Sequence, residues 1–393
     1  MPFVERQFRG LYYAMLAAFA AFGVLVAIIG ASLPRILDDF GWSYSATGAV
    51  LAAGSAGYFV AAFLTGLLVR RLGPKRVIVA ASCLQALGLV LFGCRPSVGV
   101  NLALRVLTGV GLGALEVVVN YSVVRMGRDG NGRAMNLMHA AFAVGAVVGP
   151  MGIGAILSAG IAWQAAYRVM AGVALALAGV FAILPFGRVA EDGDSPEPGQ
   201  PVLRLLTRPL LAMSSLILLL YVGTEIGVTM WVAEYAVKVL DLPAERAAWM
   251  VTLFWVGILA GRLAMWAWHG GTRLAEAMLV LGIVCTGGLT AAVALTVPWL
   301  VAGALLVSGL GYSAIYPLVI ALVGREFPRD QGPAVGAAST GGGVGSLVFP
   351  FMMAGIAGVW GIRAGFVFFL GVNVLMVALI CLVVLKTRRS PGR

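Results

Sequence analysis

Residues 109–125 read GVGLGALEVVVNYSVVR, and residues 309–325 read GLGYSAIYPLVIALVGR. At a shift of 200 positions, Gly109, Gly111, Ala114, Val119, Val123 and Arg125 fall on Gly309, Gly311, Ala314, Val319, Val323 and Arg325. The same shift carries Val144, Gly145, Val148 and Pro150 onto Val344, Gly345, Val348 and Pro350, and Gly57 onto Gly257. Glycine, alanine and valine match often by chance in so apolar a chain. A proline and an arginine shared at one offset do not. Parallel repeats of this kind imply two six-helix bundles related by an axis along the membrane normal, with a site at mid-depth between them.

The solvent around those bundles is lipid. Of 393 residues, 61% are apolar and only 11% are charged, against about 25% charged in a soluble domain. That balance excludes a soluble enzyme, a disordered chain and a disulfide scaffold. The 53 glycines suit helices that approach closely in a membrane. Cys83, Cys94, Cys285 and Cys381 show no paired spacing, so neither a metal site nor a disulfide framework is indicated.

A crossing helix needs about 20 mostly apolar residues. Leu11–Leu33, Tyr44–Val69, Val77–Cys94 and Val98–Val124 qualify, the last interrupted only by Arg105 and Glu116. Ala134–Tyr167 is too long for one helix and must turn near Gly160 into a sixth span ending near Gly187. Residues 188–208 carry Glu191, Asp192, Asp194, Glu197 and three prolines and form a polar linker. A seventh span starts at Leu210, and Ala247–Trp268 is the eighth. Ala277–Gly324 must be two spans turning at Val297-Pro298, followed by Gly332–Ile362 and Ala364–Leu385. The expected fold is therefore an all-α integral membrane protein of twelve transmembrane helices. Residues 1–187 form one bundle, 188–208 the linker and 209–393 the pseudo-symmetric second bundle.

Charge sets the orientation. Lys and Arg gather at Arg6 and Arg9, at Arg70, Arg71, Lys75 and Arg76, and at Arg125, Arg128 and Arg133. They recur at Arg188, Arg204, Arg208, Arg273, Arg325 and Arg329, and at Lys386, Arg388, Arg389 and Arg393. All lie at the termini or in even-numbered connections, so both termini and the linker are expected in the cytoplasm. This sorting explains the net charge of +11 without a nucleic-acid partner.

The motifs resemble a known family. Gly66-Leu-Leu-Val-Arg70-Arg71-Leu-Gly73-Pro-Lys75-Arg76 is similar to the signature that follows the second span in the major facilitator superfamily, with Arg70 standing where that signature has an acid. Arg105-x-x-x-Gly109-x-Gly111 resembles another superfamily motif. Three further stretches resemble the fucose permease branch of sugar:cation symporters, with its sodium-dependent glucose transporter relatives. They are Gly113-Ala-Leu-Glu116-Val-Val-Val-Asn120, Asn136-Leu-Met-His139-Ala-Ala-Phe142-Ala-Val-Gly145, and Tyr221-Val-Gly-Thr-Glu225 with Trp231 and Tyr235. Fucose permeases place an acid in the first helix too, and Leu11–Leu33 has none. Gly145-x-x-x-Gly149-Pro150 resembles the antiporter motif of drug exporters.

A charge at mid-membrane costs about 2.5–3.5 kcal/mol on insertion scales, so ionisable residues there mark function. Glu116 lies near the middle of its span and is a candidate to carry a proton or help bind Na⁺; a permanent bond to Arg105, three turns away, is the alternative. The repeat sets Glu116 opposite Tyr316 and Asn120 opposite Ile320, so this chemistry belongs to one half only. Asn120, at i+4 from Glu116, shares its face and suits sugar hydroxyls or a helix–helix hydrogen bond. Asn136 and His139 form an i, i+3 pair near the cytoplasmic end of the fifth helix, for substrate contact, a proton role or gating.

Glu225 is again near mid-depth, with Tyr221 one turn before it and Trp231 and Tyr235 following. An acid beside aromatic rings suits a sugar, whose flat face stacks on an indole. Glu234 is nearer the outer end and is expected to be solvated. Trp255, Tyr316 and Asn373 are further binding candidates. Arg70, Arg71, Gly73, Lys75 and Arg76 are expected to set topology and latch a gate. Arg105, Gly145, Pro150 and Pro350 are expected in bracing, packing and rocking.

With no H-E-x-x-H, no G-x-S-x-G, no phosphate loop and only two histidines, His139 and His269, an enzyme or nucleotide-driven pump is not expected. The function that follows is secondary active, H⁺- or Na⁺-coupled uptake of a monosaccharide or similar small polar solute by alternating access. The protein would be a monomer in the cell membrane (the bacterial inner membrane), with no other cofactor. The alternative is a proton-coupled antiporter exporting drug-like, lipid-like or other metabolites.

Overall fold

The computed structural model describes residues 4–126, 133–190, 205, 207–267 and 273–389. Twelve spans among them are long and apolar enough to cross a membrane, the tenth of them built from two helices. In the first half these are α1 (Arg9–Phe40), α2 (Tyr44–Leu72), α3 (Pro74–Leu91), α4 (Val98–Met126), α5 (Arg133–Ser158) and α6 (Gln164–Ile183). The second half holds α7 (Pro209–Leu240), α8 (Ala244–Ala267), α9 (Leu274–Ala294), α10 (Pro298–Tyr312), α11 (Ile315–Glu326), α12 (Gln331–Trp360) and α13 (Ile362–Arg389). The chain divides into two compact units, Met1–Ser195 and Pro196–Arg393. Most of the polar linker, together with Arg128, His269 and the Arg70 side chain, lies outside the described residues.

Sequence punctuation sets the helix ends. Gly41 closes α1 in the left-handed conformation, φ 62°, and donates its N–H to the Leu37 carbonyl. The Ser43 side chain then caps α2 by accepting from the Ala46 N–H at 3.2 Å. Gly73, at φ 77°, joins α2 to α3, and Pro74 opens α3 where its missing N–H costs nothing. Pro209 and Pro298 open α7 and α10 in the same way. Helix α1 runs past the expected end at Leu33 to Phe40, carried through the charged stretch by an Arg35–Asp38 pair at 3.2 Å.

The repeat is visible in the packing. Within unit 1, α1 packs on α5 and α2 on α4; within unit 2, α7 packs on α12 and α8 on α10. A methyl group at Gly109 would strike the Gly54 carbonyl of α2, and one at Gly309 would strike the Phe254 carbonyl of α8, 200 positions on. Gly57 against Val106 recurs as Gly257 against Leu306. Gly145 lies against the Ala20 carbonyl and Gly345 against that of Leu219. Each shared glycine is thus a place where two backbones touch. Pro150 and Pro350 are buried inside the matching helices α5 and α12.

The tenth span departs from the sequence reading. It is not one rod: α10 ends at Tyr312, and α11 begins at Ile315. The cause is Pro317. Its ring lacks the N–H that would bond the Ser313 carbonyl four residues back and clashes with that carbonyl. The equivalent position in α4 is Val117, and α4 is continuous through it.

Gly309→Ala should lower stability by about 1–3 kcal/mol, the cost of overpacking a close contact. Gly303→Ala, where a methyl meets open space, should stay within about 1 kcal/mol of the parent. Thermal unfolding of the two variants in detergent compares them directly.

Candidate functional site

Each unit holds its own polar cluster, and each grows from a helix–helix contact just described. In unit 1, the glycine contacts of α4 bring α2 so close that a methyl at Gly113 would meet the Tyr58 carbonyl. At that separation the Tyr58 hydroxyl reaches across and donates to Glu116 Oε2. Asn120, one turn along α4, completes the group by bonding the same carboxyl. Its Oδ1 is buried without a hydrogen-bond donor among the described residues. Three rings flank the acid. Phe22 stacks on Tyr58 with centroids 6.3 Å apart and meets Phe142 edge-on at 5.1 Å. Tyr58, Glu116, Asn120 and Phe142 are only partly buried.

His139 lies with its ring edge-on to Phe19 at 5.7 Å. It and Asn136 are exposed. Arg105 is set apart from Glu116. Only 8% exposed, it lies against the α2 backbone at Gly54 with its guanidinium 6.0 Å from the centre of the Phe92 ring. Gly145 and Gly149 both abut the α1 backbone, at Ala20 and Val24. The glycines of the Gly145-x-x-x-Gly149-Pro150 motif therefore have a packing task against α1. Arg71 and Arg76 are exposed around the α2–α3 turn at Gly73, with Lys75 partly buried beside them.

In unit 2 the break in the tenth span is the organising feature. Carbonyls freed from a helix ladder must find other donors. The Tyr221 hydroxyl of α7 donates to the Tyr312 carbonyl at 2.7 Å, and Arg262 Nε of α8 donates to the Ser313 carbonyl at 3.3 Å. Gly261 permits this approach, since a methyl there would overlap the Ser313 side chain. Glu225, 7% exposed, sits among these groups, interacting with both Arg262 and the Tyr221 hydroxyl. Its Oε1 has no partner among the described residues. The Tyr312 hydroxyl donates to Asn373 Oδ1 at 2.8 Å, and Asn373 Nδ2 has no acceptor among the described residues.

Residues 14–274 and 246–393 match the family model described as Major Facilitator Superfamily. The chain belongs to the Major Facilitator Superfamily. It is a multi-pass membrane protein and a secondary transporter of small solutes rather than an enzyme. Among superfamily relatives, a Protein TsgA homolog from Serratia proteamaculans (strain 568) is 23% identical over 337 residues, 84% of either chain. Membrane protein MosC from Rhizobium meliloti is 22% identical over 362 residues, 90% of this chain and 85% of that one. Two solved structures share the fold. Nucleoside transporter NupG gives a TM-score of 0.80 at 13% identity, covering 96% of this chain and 99% of that one. A D-xylose–proton symporter gives 0.74 at 13% identity, covering 95% and 97%.

Within that superfamily fold, the candidate residues of α7 separate. Tyr221 is joined to Glu225, but Tyr235 packs on the Phe366 ring at 4.5 Å, and its hydroxyl donates to the Ala292 carbonyl at 3.4 Å. Trp231 and Trp255 are fully buried. Tyr316 touches the Tyr221 ring at 6.5 Å and donates to Ser339 Oγ at 3.1 Å. Glu234, expected to be solvated, is buried, with 1% of its surface exposed. A charged type near the C-terminal end of a span suggests water, but α7 is covered there by its neighbours. Sequence reading missed Tyr58, Phe22, Tyr312 and Arg262. For Arg262 and Tyr312 a signal existed: Pro317 in mid-span frees a carbonyl that some donor must take.

Tyr312→Phe should cost about 1–3 kcal/mol of stability by leaving the buried Asn373 amide unsatisfied at both ends. Adding Asn373→Leu to that variant should recover part of the loss, because both polar partners are then gone. A double-mutant cycle of unfolding temperatures measures the difference.

Proposed function

We propose that the protein is a cation-coupled importer of a monosaccharide or similar small polyol, working by alternating access in the manner of the sugar:cation symporters its helices four, five and seven resemble. The observation that carries the reading is the unit 1 cluster. A carboxyl held by Tyr58 sits one turn from an amide oxygen that no donor among the described residues satisfies, beside the Phe22 and Phe142 rings. A buried acceptor without a donor is costly, and a sugar hydroxyl removes that cost. The apolar face of the sugar ring packs on the aromatic edge.

Glu116 accepts hydroxyl protons of the solute, and Asn120 both donates and accepts. Two fold neighbours, a D-xylose–proton symporter and a nucleoside transporter, act on sugar-bearing solutes, which agrees with this class. Both termini are assigned to the cytoplasm from the basic residues of the even-numbered connections. The active form is assigned as a monomer.

Purified protein reconstituted in liposomes should accumulate at least one of L-fucose, D-glucose or D-xylose when a proton or sodium gradient is imposed. Absence of sugar flux under every gradient overturns the reading, and gradient-driven efflux of an apolar dye in its place would establish export. Asn120→Ala should raise the KM for the transported sugar about tenfold, the loss of one hydrogen bond of ~1.4 kcal/mol, and leave the maximal rate near that of the parent. An unchanged KM removes Asn120 from the binding site.

A further inference from the structure

We propose that unit 1 binds a single water molecule inside its helices, in a cavity where Gln85 and Ser82 of α3 hold it against α1, α4 and α6. The site is separate from the Tyr58–Glu116–Asn120 cluster and owes nothing to the identity of the solute.

The cavity has a volume of about 10 Å³, the room that one water needs. Ala18 of α1, Leu115 of α4, and Met170 and Leu177 of α6 line it together with Ser82 and Gln85. Helix α4 thus turns the Glu116 carboxyl to α2 and the neighbouring Leu115 to this space. Ser82 and Gln85 are three residues apart on α3 and share one face. Gln85 is only 3% exposed, and its Oε1 has no donor among the described residues. A buried oxygen in that state carries the full cost of its lost hydration. The Ser82 hydroxyl gives its proton to the Ile78 carbonyl at 2.9 Å, which leaves its oxygen able to accept.

The cavity therefore offers two acceptors, and a water brings two O–H donors. One proton goes to Gln85 Oε1 and the other to Ser82 Oγ. A divalent cation takes six or more oxygens, and no acid lines this space to balance its charge. An apolar occupant of the same size leaves both oxygens without a donor. Water is the ligand that matches the size and the chemistry together.

The second half of the chain holds the same corner in a closed form. Two hundred positions on, Gln85 becomes Cys285 and Ser82 becomes Gly282. The backbone contact is shared: a methyl on Gly111 would overlap Gln85, and one on Gly311 would overlap Cys285. Cys285, however, gives its S–H to the Gly282 carbonyl at 3.1 Å. Val377, the counterpart of Leu177, and Ile380 close on Gly282, at 3.2 and 3.4 Å from where its Cβ would stand. Apolar side chains thus fill in unit 2 the place that stays open beside Ser82 in unit 1. The scaffold does not require an amide at this position. Unit 1 has a long polar side chain and a void together, and a water is what makes that combination stable.

X-ray radiolytic footprinting of the purified protein, without any solute, tests the site. Radicals formed from an enclosed water oxidise the side chain beside it, here the Met170 thioether, even when a scavenger removes radicals from bulk solvent. Met170 should therefore be oxidised in the presence of scavenger. Met15, fully buried and outside the cavity lining, should remain unmodified. Gln85→Leu keeps the volume of the side chain and removes its acceptor, so the Met170 oxidation should be lost. Ser82→Val, which fills the void with a methyl group, should lose it as well and serves if Gln85→Leu does not fold. An unmodified Met170 in the parent overturns the proposal. So does Met170 oxidation that the scavenger abolishes, or that persists at the parent's rate in either variant.

Discussion

A glycine laid against a carbonyl oxygen is the contact on which the rest of the molecule depends. Lipid tails are as apolar as leucine side chains, so helices in a membrane gain little from hiding apolar surface and must instead fit closely. Gly109 on Gly54 and Gly309 on Phe254 bring α4 to α2 and α10 to α8 at backbone contact. Everything polar in the two units is reached across those short separations. Tyr58 meets Glu116 because Gly113 lets the helices touch, and Arg262 meets Ser313 because Gly261 does.

The halves share this scaffold and differ in what it holds. In unit 1, α4 keeps its own backbone bonds and presents side chains: a carboxyl, an amide and the rings of α1, α2 and α5. In unit 2, Pro317 removes one backbone bond, and the freed carbonyls become part of the chemistry. Backbone at membrane depth is tolerated outside a helix only if its polar groups are satisfied. Tyr221 and Arg262 meet that requirement and hold the break together.

Much of this was legible in the sequence. Span length gives the number of crossings, and the 200-position register finds glycines that prove to be equivalent backbone contacts. The i, i+4 pairs Glu116–Asn120 and Tyr221–Glu225 were readable because helical spacing alone puts them on one face. Partners from other helices were not readable. Tyr58 is one tyrosine in a long apolar span, and nothing near it in sequence names α4 as its neighbour. Tyr235 follows Glu225 closely along the chain, yet its ring packs on Phe366. The burial of Glu234 is not readable in the sequence, because depth along a helix does not reveal what covers it.

The interrupted tenth span also gives the two halves unequal stiffness. A continuous α4 resists bending along its whole length, while α10 and α11 meet at a joint that lacks a ladder bond. The 15 residues of α10 make a lever about 22 Å long, so a bend of about ten degrees at Ser313 moves its far end by about 4 Å. A rearrangement of the hydrogen bonds that hold the break is thereby geared to a displacement of several ångströms at the far end of α10, in one half of the protein and not in the other.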